Sequence, residues 1–349
     1  MTAIATDPPT SISSDLPHPS VGWWLVGIAG MVFVMVVIGA LTRLTDSGLS
    51  MVDWRPITGW LPPLTHDEWQ KAFDAYRQFP EYAKINAGMS LFEFQEIFWL
   101  EFIHRVWGRL IGIAFALPMI YFFVRRMIPL GFAPRIIGLF LLGGAQGFMG
   151  WYMVQSGLID RPDVSQYRLT AHLGLAFAIY LALIWTALDI LRPRRPGLGT
   201  LSVRLLGALA LVFLTAMSGG FVAGLDAGLT YNTFPLMDGQ LVPPGYLVYE
   251  PAWKSLFEDI PTVQFNHRLL ATITGIAVLI VCVKSLGAVE TPAARRGLMW
   301  SNALVLGQYA LGIATLLSVV AIPLATLHQA TALALMTALV FSAHAVRRG

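Results

Sequence analysis

Long apolar blocks alternate with short polar segments along most of this chain. A helix needs about 20 consecutive apolar residues to cross a hydrocarbon core of about 30 Å. Eight blocks meet that length, over roughly 21–41, 98–124, 136–155, 169–191, 205–224, 263–285, 300–320 and 325–346. The pattern predicts an all-α integral membrane protein with eight transmembrane helices. The polar segment 42–97 contains DEWQKAFDAYRQFPEYAKI, whose spacing predicts a short amphipathic helix outside the membrane.

The two halves of the pattern repeat. DSGLS at 46–50 resembles DAGLT at 226–230, and HRVWGRLIG at 104–112 resembles HRLLATITG at 267–275. GGAQGFMGWYMVQSG (143–157) aligns loosely with LGQYALGIATLLS (306–318), and AHLGLAFA (171–178) with LHQATALA (327–334). The offsets of 180, 163, 162 and 156 fit a four-helix unit repeated with different loop lengths. Four is even, so both halves share one orientation, as two pseudo-symmetric four-helix bundles about an axis along the membrane normal. The organisation expected is a disordered cytoplasmic tail 1–20, an N-terminal half 21–192, a cytoplasmic linker 193–204 and a C-terminal half 205–346.

Charge orients this pattern. Charged residues make up 12% of the chain, against about a quarter in soluble domains. The net charge is only +3, and the arginines gather in short loops: RRMIPLGFAPR, RPRRPGLGTLSVR, KSLGAVETPAARR and the final RRG. That distribution speaks for topology and not for nucleic acid, and it places these loops and both termini in the cytoplasm. Segment 42–97 carries eight acids against five bases, and 225–262 five acids against Lys254, so both are expected outside. Cys282 is the sole cysteine, which excludes an intramolecular disulfide and a cysteine metal site. The tail lacks basic residues, which leans toward a bacterial membrane over an organelle.

Of seven histidines, His18, His66 and His344 fall outside the spans or at an end, while His104, His172, His267 and His328 lie within them. Each of the four sits a few residues inside its span's outer end, about 5–10 Å deep at 1.5 Å per residue. A lone intramembrane histidine can simply tie two helices together. Four at one depth, two per half on the second and fourth helices, suit axial ligation of an iron porphyrin in each bundle. Zinc fits less well, because no Cys, Asp or Glu accompanies each pair except Glu101 in the first half. The propionates of a porphyrin need cations, and Arg105 and Arg109 in the first half and Arg268 in the second are the candidates. Snorkelling is the plainer reading of these arginines.

The repeat also fails informatively. Glu101, three residues before His104, is matched by Gln264, three before His267, and Arg109 is matched by Thr272. Positions i and i+3 share a helix face, so Glu101 is suited to proton transfer beside the first pair. Pairing of Glu101 with Arg105 at i+4 is the structural alternative. The first half is thus expected to do chemistry and the second to hold an electron-transfer cofactor. Asp46, Asp226 and Asn232 are read as turn and loop-packing residues.

EFIHR on the second span, NHR on the sixth and single histidines on the fourth and eighth resemble the haem A synthase family. TRLTDSGLSMVDWRPITGWLPPL (42–64) and GLDAGLTYNTFPLMDG (224–239) resemble its proteobacterial and mitochondrial branch. The likeness covers residues 21 to 346. The external cysteine pair of other bacterial members is missing, so no thiol role carries over. The resemblance implies oxidation of a methyl group of haem O to a formyl group, giving haem A for cytochrome oxidase. It implies that His104 and His172 flank the substrate haem, that His267 and His328 ligate a resident haem b, and that Glu101 is needed for activity. It further implies residence in a bacterial inner membrane among lipid, with haem O synthase and oxidase assembly factors as partners and an electron acceptor of unknown identity. A dihaem cytochrome that only passes electrons to or from quinone is the main alternative, and it leaves Glu101 against Gln264 unexplained; a transporter with a parallel repeat and a proton-coupling Glu101 is the other.

Overall fold

The computed structural model describes residues 18–53, 58–157, 163–192 and 197–347. The tail expected to be disordered therefore lies outside the described residues up to position 17, as does 193–196 of the linker. Eight helices are long and apolar enough to cross a membrane: α1 Pro19–Leu44, α2 Leu91–Val124, α3 Ala133–Gly157, α4 Gln166–Leu191, α5 Thr200–Gly224, α6 Ile260–Leu286, α7 Pro292–Leu317 and α8 Ile322–Ala345. No β-strand occurs among the described residues. The helices match the apolar blocks, with one instructive extension. α2 begins at Leu91, well before its apolar run, because Ser90 and Glu93 form a reciprocal capping box that starts the helix outside the membrane. Proline at the first or second position likewise opens α1, α6, α7 and α8.

The helices form two rings. α1 packs on α2 and α4, and α3 on α4 and loosely on α2; α5 packs on α6 and α8, and α7 on both α6 and α8. The rings meet through α4 against α5, α1 against α8, and α4 against α8. Each helix at this seam thus has a counterpart one half-chain away. Apolar burial alone does not hold helices together in lipid, so close backbone approach and hydrogen bonds do. Gly220 and Gly224 of α5 let α4 come near: a Cβ on Gly224 would lie 2.6 Å from the Gln166 Cα, and one on Gly220 2.8 Å from the Thr170 Oγ1. Tyr180 and Thr337 share a hydrogen bond of 2.8 Å between α4 and α8, and the Gln329 amide donates to the Val36 carbonyl of α1 at 3.2 Å. At the end carrying the arginine loops, Asp189 accepts from Arg135 at 2.8 Å and Arg347 at 2.5 Å, and pairs with His344 at 3.1 Å.

The opposite end carries a cover. The amphipathic helix expected in segment 42–97 runs His66–Tyr76, started by a Thr65/Glu68 capping box. With the short helix Pro80–Lys84 it rests on the outer extension of α2, where Phe73, Tyr76, Phe94, Phe98 and Phe102 form an aromatic core. Glu81 is buried there at 3% exposure, its Oε2 without a hydrogen-bond partner, beside a Tyr76 hydroxyl that accepts from Asn86 at 2.7 Å. Removal from water pushes the Glu81 carboxyl up to about 8, opposed by Tyr76 and reinforced by the charge of Glu101.

Two outcomes follow. Gly224→Val inserts methyl groups against the α4 backbone and should cost about 1–3 kcal/mol, read as a lowered thermal midpoint of the purified protein. The folded cover holds a Glu81 proton that the unfolded chain releases near 4.5. The associated stability is complete below about pH 4.5 and is lost as pH rises to about 8. Glu81→Gln should therefore match the wild type at low pH and protect the amides of His66–Tyr76 better at pH 8.5, measured by hydrogen exchange. Equal protection at both pH values would contradict the buried-proton account.

Candidate active site

Each of the four intramembrane histidines lies against a glycine of the neighbouring helix. The His104 ring faces Gly39 of α1, His172 faces Gly150 of α3, His267 faces Gly219 of α5 and His328 faces Gly312 of α7. A Cβ at these glycines would sit 3.2, 3.1, 3.1 and 3.0 Å from the respective imidazole Cε1. A methyl group there would push the ring out of its seat. Gly39 and Gly219 differ by 180 positions and Gly150 and Gly312 by 162, the repeat offsets read from the sequence. The glycines escaped sequence reasoning, although those offsets carry the signal.

Side chains and backbone then orient the rings. Ser218 lies 3.0 Å from the His267 Nδ1 and Thr42 3.5 Å from the His104 Nδ1. The Gln146 amide donates to the His172 carbonyl at 3.1 Å and lies 3.2 and 3.3 Å from its ring nitrogens. Gln308, at the matching place on α7, lies 3.4 Å from the His328 Nε2.

No group of three or more His, Cys, Asp or Glu able to hold a metal ion occurs among the described residues. The His328 Nδ1 and the Oε1 atoms of Gln146 and Gln308 are buried polar atoms without partners, so polar capacity is left over at the histidines.

Glu101 and Arg105 make the ion pair that i, i+4 spacing allows, at 2.5 Å. The Glu101 Oε2 also accepts from the Ser50 hydroxyl at 2.7 Å and the Met51 backbone N–H at 2.6 Å. Arg105 donates further to the carbonyls of Met51 at 2.7 Å and Asp53 at 3.0 Å. The second half repeats this clamp with opposite polarity. Gln264 donates to the carbonyls of Ala227 at 2.7 Å and Thr230 at 2.6 Å, and Arg268 to those of Tyr231 at 2.5 Å and Thr233 at 2.8 Å. The residues within one turn of each histidine thus tie down the loop that follows α1 or α5. Arg105 and Arg268, expected to meet propionates, direct these donors at loop carbonyls.

Arg109 stands over the Trp60 ring at 5.6 Å. Its counterpart Thr272 bonds instead to the Tyr309 hydroxyl at 3.0 Å, and Tyr309 itself replaces Gly147, next to which a Cβ would meet nothing. The first half is therefore roomier between its second and third helices. Asp46 and Asp226 occupy the same left-handed turn position at φ 50°, and Asn232 donates to the carbonyls of Gly228 and Leu316, as turn and packing roles require. Arg43 was missed by sequence reasoning. It pairs with Asp46 at 3.1 Å and reaches across to Asp226 at 2.8 Å and the Ala223 carbonyl at 3.0 Å.

Comparison with known proteins places the chain in a family. A family model described as cytochrome oxidase assembly protein, COX15-CtaA, matches residues 22–340. A protein named heme A synthase from Nitrosospira multiformis is 50% identical over 332 residues, covering 93% of each chain. Another of that name from Parvibaculum lavamentivorans is 49% identical over 333 residues, covering 95% of each. Heme A synthase COX15 of Arabidopsis thaliana is 44% identical over 342 residues, covering 94% of this chain and 75% of the relative. With nearly its whole helical region matched, the chain belongs to the COX15-CtaA family of cytochrome oxidase assembly proteins.

Proposed function

We propose that this protein is a haem A synthase, oxidising a methyl group of haem O to a formyl group for cytochrome oxidase assembly. The observation that carries this reading is a duplicated imidazole-on-glycine seat whose two copies differ chiefly by Glu101 against Gln264. Relatives named heme A synthase, matched over almost the full chain, support it. In this reading His104 and His172 flank haem O in the N-terminal half, and His267 and His328 hold a resident haem b. The greater room beside Gly147, against the Tyr309-filled place in the other half, favours that assignment.

Haem b, when bound, supplies one-electron redox capacity close to the substrate half. The chain's own residues do the rest. The four imidazoles set the position of the two rings. Glu101, fixed by Arg105, Ser50 and Met51, places a carboxylate beside the His104 turn. It can accept a proton as the substrate methyl is oxidised, and its negative charge stabilises positive charge developing there. Arg105 and Arg268 clamp the loops above the histidines, and with Arg109 they are the cations we assign to the propionates. The bacterial inner membrane, with both termini in the cytoplasm, is the location we assign from the arginine loops. Haem O synthase and oxidase assembly factors are the partners this reaction calls for.

A dihaem cytochrome with no chemistry of its own is the second reading, favoured by the symmetry of the four seats. Incubating membranes that contain the protein with haem O decides the matter: a synthase yields formyl haem on extraction and chromatography, and a cytochrome leaves haem O unchanged.

Glu101→Gln should keep the haem b spectrum yet lower formyl haem yield by about 10²-fold or more. Normal yield would remove Glu101 from the chemistry. Hydrogen exchange of residues 47–53 in that variant reports separately on loop anchoring. His267→Ala should lose bound haem b, whereas His104→Ala should keep it; the opposite pattern in reduced-minus-oxidised spectra would exchange the two halves.

A further inference from the structure

The repeat fails once more at the end that carries the arginine loops, away from the histidines. With the offsets of 162 on α3 and 156 on α4, Arg135 and Asp189 are matched by Gly297 and Ala345. In the second half the glycine brings α7 flush against α8: a Cβ on Gly297 would lie 2.5 Å from the Ser342 Oγ and 3.1 Å from the Phe341 Cδ1. Phe341 and Ser342 are the counterparts of Trp185 and Thr186. In the first half the Arg135 side chain takes the glycine's place, and α3 packs less extensively on α4 than α7 does on α8. A groove of about 500 Å³ opens between them, bounded on its far side by Leu206 of α5. It therefore lies on the seam between the two halves. Its walls are almost wholly apolar, and Leu142 stands seven residues beyond Arg135, about 10 Å deeper along α3. Gly138 is part of the wall, and a Cβ there would meet nothing within 4 Å. The mouth is charged. Asp189 accepts from Arg135 at 2.8 Å and from Arg347 at 2.5 Å, so two guanidiniums share one carboxylate. The Arg135 side chain is 55% exposed and keeps further N–H donors at the surface.

We propose that this groove binds an acidic phospholipid of the phosphatidylglycerol type, one acyl chain lying against Leu139, Leu142 and Leu206 and the phosphate meeting Arg135. An apolar slot beneath an uncompensated cation matches a molecule with a hydrocarbon tail and an anionic head. A neutral lipid would fill the slot and gain nothing from the guanidinium. A soluble anion would meet the guanidinium and leave the walls bare. Basic pockets between membrane helices on the arginine-rich side are suited to acidic headgroups. Because Leu206 belongs to the second half, a chain seated here packs against both halves at once. The site is independent of the haem reading, since it contains none of the four intramembrane histidines.

The test uses the full-length protein purified in detergent, with phosphatidylglycerol or phosphatidylcholine of equal chain length added. Thermal midpoints and native mass spectrometry are the readouts. Phosphatidylglycerol should raise the wild-type midpoint more than phosphatidylcholine and persist as an adduct, and added salt should shrink the difference. Gly138→Leu fills the slot where a side chain meets no obstacle and favours the helix; it should abolish the difference between the two lipids. Arg135→Gln should weaken phosphatidylglycerol binding about 5-fold, the worth of one cation near the membrane surface, and leave phosphatidylcholine unaffected. Equal effects of the two lipids on the wild type, or an undiminished phosphatidylglycerol preference in either variant, overturns the proposal. So does stabilisation by inorganic phosphate alone to the same extent, or a neutral prenyl lipid as the retained adduct. Should Arg135→Gln fail to fold, Gly138→Leu decides alone.

Discussion

An imidazole ring that must project sideways between two tightly packed helices needs a gap as wide as a missing side chain. Here the gap is glycine, four times over, on the helix facing each histidine. Close packing leaves little freedom to make such a space by relaxation, because protein interiors yield poorly to even one methyl group. The helix order in each ring, the depth of each histidine and the repeat offsets all serve this contact. Moving α1, α3 or α7 by one residue would put a larger side chain where the ring lies.

Around these seats the protein uses one device with two polarities. In the first half a carboxylate receives loop donors, and in the second an amide gives to loop acceptors. Both anchor the chain emerging from the half's first helix, and both lean on an arginine one turn further along. The difference between Glu101 and Gln264 is therefore structural as well as chemical. A buried carboxylate needs the Arg105 pair and two further donors to compensate lost hydration, and the loop around Ser50 and Met51 supplies them. The functional charge and the fold of the outer loop are one arrangement.

Most of this architecture was legible in the chain itself. Apolar runs of membrane length have few alternative structures, so the eight spans emerged directly, and the histidines stood out because ionisable groups in lipid are costly. What escaped was relational. Gly39 or Gly312 looks like any other membrane-helix glycine until its facing ring is known. The loop carbonyls that Arg105 and Arg268 donate to lie tens of residues away in sequence, a contact no local pattern signals. The extension of α2 beyond the apolar run was signalled by Ser90 and Glu93, a cap that hydropathy does not register.

Arg43 gives the duplicated design a mechanical unity. Its guanidinium belongs to α1 yet grips both left-handed turns, Asp46 in its own half and Asp226 in the other. The outer rims of the two bundles are therefore tied at one point by a shared guanidinium, a partly exposed contact whose strength falls as salt rises.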